Sequence, residues 1–267
     1  ILTQAVPYIK EYTGKYVVAK YGGNAMTDPV LKKNVMQDIL LLHLIGVNVI
    51  LVHGGGPDIN AMLDALKIES HFENGLRVTD KDTMDVVQMV LAGKVNKGLV
   101  AYLSALGGKA IGLCGIDGNM IQVHTKNEKL GLVGEIDHID TGVIDSALSA
   151  GFIPVISSVG IDSHGQPHNI NADTAATKIA AALNAECLVF MSNIDGVMQD
   201  PKDKDSLLHK LTVVETEALK KDGTINGGMI PKVDACTDAI KDGVKKVFII
   251  NGEVPHALLI ELLTNEG

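Results

Sequence analysis

The chain reads as an α/β protein whose open, mostly parallel sheet is covered by helices on both faces. Three observations predict that class. Six short aliphatic runs, rich in β-branched residues and apolar on both faces, recur along the sequence. Such runs are the signature of buried parallel strands. Each is followed within a few residues by glycine or small polar residues, and stretches of helical period lie between them. The composition agrees, because 46% of residues are hydrophobic but only 3% aromatic, with no Trp. The core must therefore be built from Val, Ile, Leu and Ala.

The elements follow in order. The first run, residues 16–19, closes on Lys20-Tyr21-Gly22-Gly23-Asn24. A helix is expected over 30–45, with Val35, Met36, Ile39, Leu40 and Leu42 on one broad face. The second run, 47–52, leads into His53-Gly54-Gly55-Gly56-Pro57 and a helix over 58–66. The third, 110–113, is followed by Cys114-Gly115. Residues 120–134 alternate polar and apolar side chains, with Ile121 and Val123 on one side, and are expected to form an antiparallel hairpin inserted in the sheet. The fourth run, 153–156, precedes Ser157-Ser158-Val159-Gly160 and an Ala-rich helix over 172–183. The fifth, 187–191, runs into Ser192-Asn193-Ile194-Asp195-Gly196 and a charged, Pro-containing surface loop over 200–204. A helix over 233–240 and a sixth run, 247–250, complete the pattern, with Asn251-Gly252 after it. No repeat, linker or low-complexity tract interrupts it. One compact domain with two lobes is expected in 267 residues.

The charge balance narrows the partners. A formal charge of −9, from 23 Lys and Arg against 32 Asp and Glu, argues against nucleic acid or an anionic membrane surface. Cys114, Cys187 and Cys236 are scattered and odd in number, so neither a disulfide framework nor a zinc site is expected. The polar, mixed residues 1–12 do not resemble a signal peptide, and no apolar run has membrane-spanning length. A soluble cytoplasmic protein is the expectation, with ends trimmed before residue 1 and after Gly267.

In doubly wound sheets ligands bind at the carboxyl ends of the strands, where these glycine-rich turns fall. Three consecutive glycines after a buried strand let main-chain N–H groups converge on an anion at a helix N-terminus, and 53–57 has that form. The competing reading is a tight turn needing unusual φ values. Lys20 closes a buried run, where a charge wants a partner or a ligand, or else snorkels to solvent. In Gly227-Gly228-Met229-Ile230-Pro231-Lys232, a Lys near a helix N-terminus opposes the macrodipole unless an anion such as an ATP phosphate lies between them. A solvated surface Lys is the alternative. Asn169, Asn171 and Asp173 fall in line before the Ala-rich helix, with Asp173 also expected to serve as the N-cap. Arg77, in Asn74-Gly75-Leu76-Arg77-Val78-Thr79, is the single Arg of the chain. Arg grips carboxylates bidentately where Lys does not, though an exposed loop Arg would look the same.

Several signatures are missing. There is no GxxxxGK[ST] loop, no GxGxxG after the first strand, no His spacing for a metal and no GxSxG elbow. The glycines of 112–118 are spaced as GxxGxxG, which carries little. These absences disfavour a Walker-type nucleotide site and a nicotinamide dehydrogenase.

Taken in order, KYGGNAM, HGGGP, NGLRVT, NINADTAA, SNIDGV and GGMIPK resemble the amino acid kinase family, and within it the branch that phosphorylates N-acetyl-L-glutamate. The resemblance runs over residues 8–267. It implies a three-layer αβα sandwich of the carbamate kinase-like type, with an N-lobe (about 1–185) for substrate binding and dimerisation and a C-lobe (about 186–267) for ATP. It implies that Lys20 and Lys232 stabilise the transition state, that Asp173 orients both, and that Gly23 and Gly55 donate main-chain N–H groups to the transferring phosphoryl. Gly55, Gly56, Arg77, Asn169 and Asn171 would hold the acceptor. Gly22, Asn193, Asp195, Gly196, Met198, Ile225, Gly228 and Met229 would hold ATP, which acts with Mg²⁺. Asn193 departs from the family, which more often has Asp there. The implied reaction is the second step of arginine biosynthesis.

The segments 5–9 and 255–261 resemble arginine-sensitive members of the family, which are hexameric trimers of dimers joined through an N-terminal helix. His256 and Glu261 would line an allosteric arginine site, with an ordinary amphipathic terminal helix as the alternative. A PII-type regulator is a further implied partner. The competing functions are a sibling kinase acting on carbamate, aspartate, glutamate or UMP, and a catalytically silent amino acid sensor.

Overall fold

The computed structural model of the protein describes residues 2–200 and 203–265. The first half contains α1 (Leu2–Tyr12), β1 (Tyr16–Tyr21), α2 (Pro29–Leu44), β2 (Asn48–His53), α3 (Gly56–Leu66), β3 (Phe72–Glu73), β4 (Leu76–Arg77), α4 (Lys81–Gln88), α5 (Asn96–Ala105) and β5 (Ala110–Cys114). A π-helical segment, Met89–Val95, joins α4 to α5. The middle contains β6 (Ile121–Thr125), β7 (Gly134–Ile139), α6 (Gly142–Ser149), β8 (Ile153–Ser157), β9 (Val159–Ile161) and β10 (Pro167–Asn169). The chain continues through α7 (Ala172–Ala182), β11 (Cys187–Ser192), α8 (Val213–Lys221), α9 (Met229–Lys241), β12 (Lys246–Asn251) and α10 (Ala257–Leu263).

All six aliphatic runs enter one sheet, in the order β12-β11-β1-β2-β8-β5. Every neighbouring pair in it is parallel. Alternate residues of each strand feed different cores, as the two-residue period of a strand requires. Val17, Ala19, Val49, Leu51, Val155 and Val189 point into one, where α2 packs through Val35, Met36, Ile39 and Leu42. Val18, Ile50, Val52, Ile156, Leu188 and Phe190 point into the other, against Ala175, Ala176, Ile179 and Ala180 of α7. Small Ala side chains let α7 lie close on the sheet. Each such Val, Ile or Leu stabilises the fold by roughly 1.5–3 kcal/mol over exposure. Helix, sheet and helix form the three layers.

The predicted hairpin needs correction. β6 and β7 do pair antiparallel, but in a separate four-stranded sheet ordered β10-β9-β6-β7, and the second strand lies over Gly134–Ile139. The reason is in the alternation itself: Ile121 and Val123 are buried while Gln122 and His124 are exposed. A strand with one wet face does not fit a central sheet covered on both sides. Of the expected loop over 200–204, Pro201 and Lys202 lie outside the described residues, as do Ile1, Glu266 and Gly267. Among the described residues no helix is long and apolar enough to cross a membrane.

Candidate active site

The carboxyl ends of β1 and β2, the start of α7 and the β3–β4 hairpin enclose a cleft of about 400 Å³. Its floor is glycine. A Cβ on Gly22 would lie 2.7 Å from the Lys20 ammonium, so glycine lets the lysine fold back over the turn that follows β1. A Cβ on Gly55 would lie 2.8 Å from Leu91 Cδ2, which shows how closely this loop is packed on the π-helical segment. Gly55 is the N-cap of α3 and Gly56 its first residue. Both line the cleft, as do Gly22 and Gly23 after the adjacent strand.

Lys20 Nζ lies 2.8 Å from Asp173 Oδ1. The contact is an ion pair by distance without hydrogen-bond alignment, since Asp173 Oδ1 has no hydrogen-bond partner. Asp173 sits in the first turn of α7, but it is not the cap expected from the sequence. Asn171 is the N-cap, and its Oδ1 accepts from Asp173 N at 2.9 Å and Thr174 N at 3.0 Å. A cap accepts from amides two and three residues ahead, which places it before Asp173 and leaves that carboxylate for Lys20. Asn171 Oδ1 is thus already engaged, although the residue lines the cleft.

Lys232 lies on α9 and donates to the Ser192 hydroxyl at the end of β11, at 2.9 Å. Burial pushes its ammonium below the usual lysine value; Asp173 draws it back up and the charge of Lys20 pushes it further down. Two ammonium groups thus share one carboxylate. The net positive field between them suits an anion.

Arg77 is only 6% exposed, so the exposed-loop alternative falls. Its Nη1 donates to Ser70 Oγ and its Nη2 to Asn60 Oδ1, each at 2.6 Å, and its guanidinium stacks 4.7 Å from the centre of the Phe72 ring. Among the described residues no carboxylate lies within ion-pair distance of it, and burial pulls its pKa down. Asn169 Nδ2 donates to Thr79 Oγ1 at 3.1 Å, and that hydroxyl donates to the Arg77 carbonyl at 2.8 Å. Nothing in the sequence marks Thr79, Asn60 or Ser70 as site residues. Thr79 lay in plain view two residues beyond Arg77, but a threonine carries no signal of its own.

Of the expected nucleotide residues Gly22 lines this cleft; the other seven do not, and gather beyond the neighbouring strands β11 and β12. Asp195 accepts from Asn251 Nδ2 at 2.7 Å. Gly196 has φ +144, and a Cβ there would lie 2.8 Å from Leu207 Cδ1. Asn193 is exposed and Met198 half-buried. Ile225 is buried in a small apolar cluster with Val197 and Val233, against which Met229 packs. Gly228 caps α9 without a side chain; the first-turn amides of Met229 and Ile230 already donate to the carbonyls of Asn226 and Gly227, and Pro231 has none to offer.

His256 and Glu261 lie elsewhere, and no hydrogen bond or ion pair joins them. The His256 ring contacts Asp38 of α2, Nδ1 to Oδ1, at 2.6 Å. Burial pushes the Glu261 carboxyl up, opposed by His209. α10, which carries Glu261, packs on both α1 and α2.

The sequence profile of the Amino acid kinase family matches residues 15–251. The acetylglutamate kinase of Brachyspira hyodysenteriae is 53% identical, over the whole of this chain and 93% of that protein. That of Clostridium kluyveri is 51% identical, over the whole of this chain and 95% of that protein. Among solved structures, the N-acetylglutamate synthase of Neisseria gonorrhoeae complexed with coenzyme A and N-acetyl-glutamate is similar, with a TM-score of 0.84 and 27% identity. The match covers all of this chain and 61% of that one.

Proposed function

The chain belongs to the amino acid kinase family, and from that premise we infer that it phosphorylates the side-chain carboxylate of N-acetyl-L-glutamate with ATP, a step of arginine biosynthesis. The observation that carries the reading is Arg77. A buried guanidinium with neutral partners alone among the described residues, lining the same cleft as Lys20, Gly22 and Gly23, calls for a ligand with more than one anionic group. A dicarboxylate derivative meets that demand, with its α-carboxylate on Arg77 and Asn169 and its side-chain carboxylate toward Lys20.

The chemistry asks little of the protein beyond position and charge. The attacking carboxylate is ionised at neutral pH, so no general base is required. Phosphoryl transfer is limited by charge repulsion and in-line alignment. Lys20 and Lys232 offset the charge on the transferring oxygens, Asp173 fixes Lys20, and the N–H groups of Gly23 and Gly55 donate to the same oxygens. The turn over 225–229 that leads into α9 and the loop after β11, from Asn193 to Met198, hold the nucleotide. Among the described residues no group of three His, Cys, Asp or Glu side chains forms a cage, so Mg²⁺ would be held chiefly by the phosphates of ATP, where it would offset their charge. The acceptor half corresponds to residues about 1–185 and the nucleotide half to about 186–267.

Arginine feedback belongs to the same reading, through α1, α10, His256 and Glu261 in a homodimer or hexamer, with a PII-type protein as a further regulator. Retention of both lysines weighs against a silent sensor. An assay of ADP release tests the whole proposal. N-acetylglutamate should be turned over far faster than carbamate, aspartate, glutamate or UMP, and millimolar arginine should slow it. Turnover of one of those four in preference to N-acetylglutamate would overturn the substrate assignment. A rate indifferent to arginine would remove the regulatory half.

A further inference from the structure

His53 is buried at the end of β2, and the chemistry above gives it no role. Its Nδ1 lies 2.8 Å from the carbonyl oxygen of Gly54, and its Nε2 lies 3.1 Å from Asn96 Nδ2. The same Asn96 nitrogen reaches the carbonyls of Val155, at 2.9 Å, and Leu113, at 3.3 Å. Two carbonyl oxygens on that side leave only one sense for the amide: its NH₂ faces them and the ring. Nδ1 of His53 faces a carbonyl, which can only accept, so the proton sits on Nδ1 and is donated to Gly54, and the bare Nε2 faces the Asn96 NH₂. Burial lowers the His53 pKa to about 4, which keeps that neutral form in place at working pH.

Asn96 is itself fully buried, immediately after the π-helical segment, and its Oδ1 has no partner. An orphaned buried acceptor costs about 1–3 kcal/mol. Gly112 keeps room for it, since a Cβ there would fall 1.9 Å from Asn96 Oδ1. The fold thus tolerates an unsatisfied atom to hold an imidazole in one tautomer. What that tautomer grips is one peptide plane. In a trans peptide the C=O and N–H point in opposite directions. Holding the Gly54 carbonyl inward aims the N–H of Gly55 outward, toward the cleft that Gly55 lines. Among the described residues that N–H has no hydrogen-bond partner.

We propose that His53, oriented by Asn96, is a positioning residue that fixes the Gly54–Gly55 peptide so that the Gly55 N–H meets the transferring phosphoryl group. The proposal rests on the kinase reading above. Polarisation along the chain Asn96–His53–Gly54 strengthens the Gly55 donor as well as aiming it.

Two substitutions separate positioning from packing. His53→Asn places an amide nitrogen near the Nδ1 position and keeps the donor to Gly54. His53→Gln keeps a polar group near the Nε2 position, for Asn96, and loses that donor. With folding of each checked by thermal melting, His53→Gln should lower kcat on N-acetylglutamate roughly 10- to 100-fold with KM for ATP little changed, and His53→Asn should recover most of the loss. Equal losses in the two variants, or losses that track their melting temperatures, would overturn the proposal. The tautomer is read independently, by ¹⁵N spectra of histidine-labelled wild type against His53→Gln, whose missing signal identifies residue 53. Protonated Nδ1 and bare Nε2 are expected at pH 7, and the reverse would sink the idea even if neither variant folds. A wild type inactive on N-acetylglutamate but showing the Nδ1–H tautomer would overturn the substrate reading while leaving the peptide held as described.

Discussion

A charged group that is buried among neutral partners is held in readiness for something not yet bound, and Arg77 is such a group. Its two hydrogen bonds to Ser70 and Asn60 and its stacking on Phe72 fix the plane of the guanidinium and leave its charge unbalanced. A lysine at this position keeps the charge but loses the planar fork and the stacking. Arg77→Lys is therefore expected to raise KM for N-acetylglutamate by roughly 10- to 100-fold, the loss of one bidentate charge-assisted contact, while KM for ATP stays near wild type. Steady-state kinetics with each substrate varied in turn would check this. A matching rise in both constants would mean that Arg77 supports the fold of the cleft rather than the acceptor.

At the scale of elements, the start of α7 is where cap and site meet. Asn171 caps the helix and thereby fixes the turn that carries Asp173 to Lys20. Removing the cap should cost about 1 kcal/mol of stability and also loosen the ion pair. Asn171→Ala is expected to lower the urea midpoint and reduce kcat several-fold, whereas Asn171→Asp, still a good cap, should keep both close to wild type. Loss of activity in Asn171→Asp equal to that in Asn171→Ala would point instead to direct contact between the amide and the acceptor. The same helix shows what a sequence does and does not reveal. Buried strands such as 187–191 were legible because an aliphatic run on both faces has few other uses. Lys20 was legible because it closes one of them, and Arg77 because it stands alone in a Lys-rich chain. The cap is Asn171 and not Asp173, two residues on, because Asn and Asp are near-equal cappers and only the backbone decides which one precedes the first turn. The antiparallel pairing of β6 is legible but its sheet is not, because alternation gives a strand its wet and dry faces without naming its neighbours. Asn96 and Thr79 carry no signal of their own, since the partners that give them a role, His53 and Asn169, lie 43 and 90 residues away; the π-helical segment is equally unmarked in the sequence.

For the whole molecule, two buried groups pull the pH dependence of stability in opposite directions. His53 has its pKa lowered from 6.5 to about 4 by burial. Between those values the unfolded chain binds a proton that the folded one refuses, so this contribution is lost as pH falls from about 6.5 to 4. Asp38, 1% exposed, has its pKa raised from 3.8 to about 6, because burial outweighs the contacts with His256 and the Leu259 amide. Here the folded chain holds the extra proton, so stability declines as pH rises from about 4 through 6. Each group can contribute up to ~1.4 kcal/mol per pH unit inside its window. Their windows overlap, and their slopes there cancel in large part. Asp38→Asn keeps a polar partner for His256 but removes one of the two titrations, which exposes the other. Calorimetric melting from pH 4.5 to 7.5 should then show a shallow wild-type profile below pH 6 and a variant whose Tm falls more steeply with acid, by about 2–4 °C per kcal/mol uncovered. Parallel profiles for the two proteins would mean that Asp38 and His53 do not oppose one another, and that the acid response of this fold is set by groups other than these two.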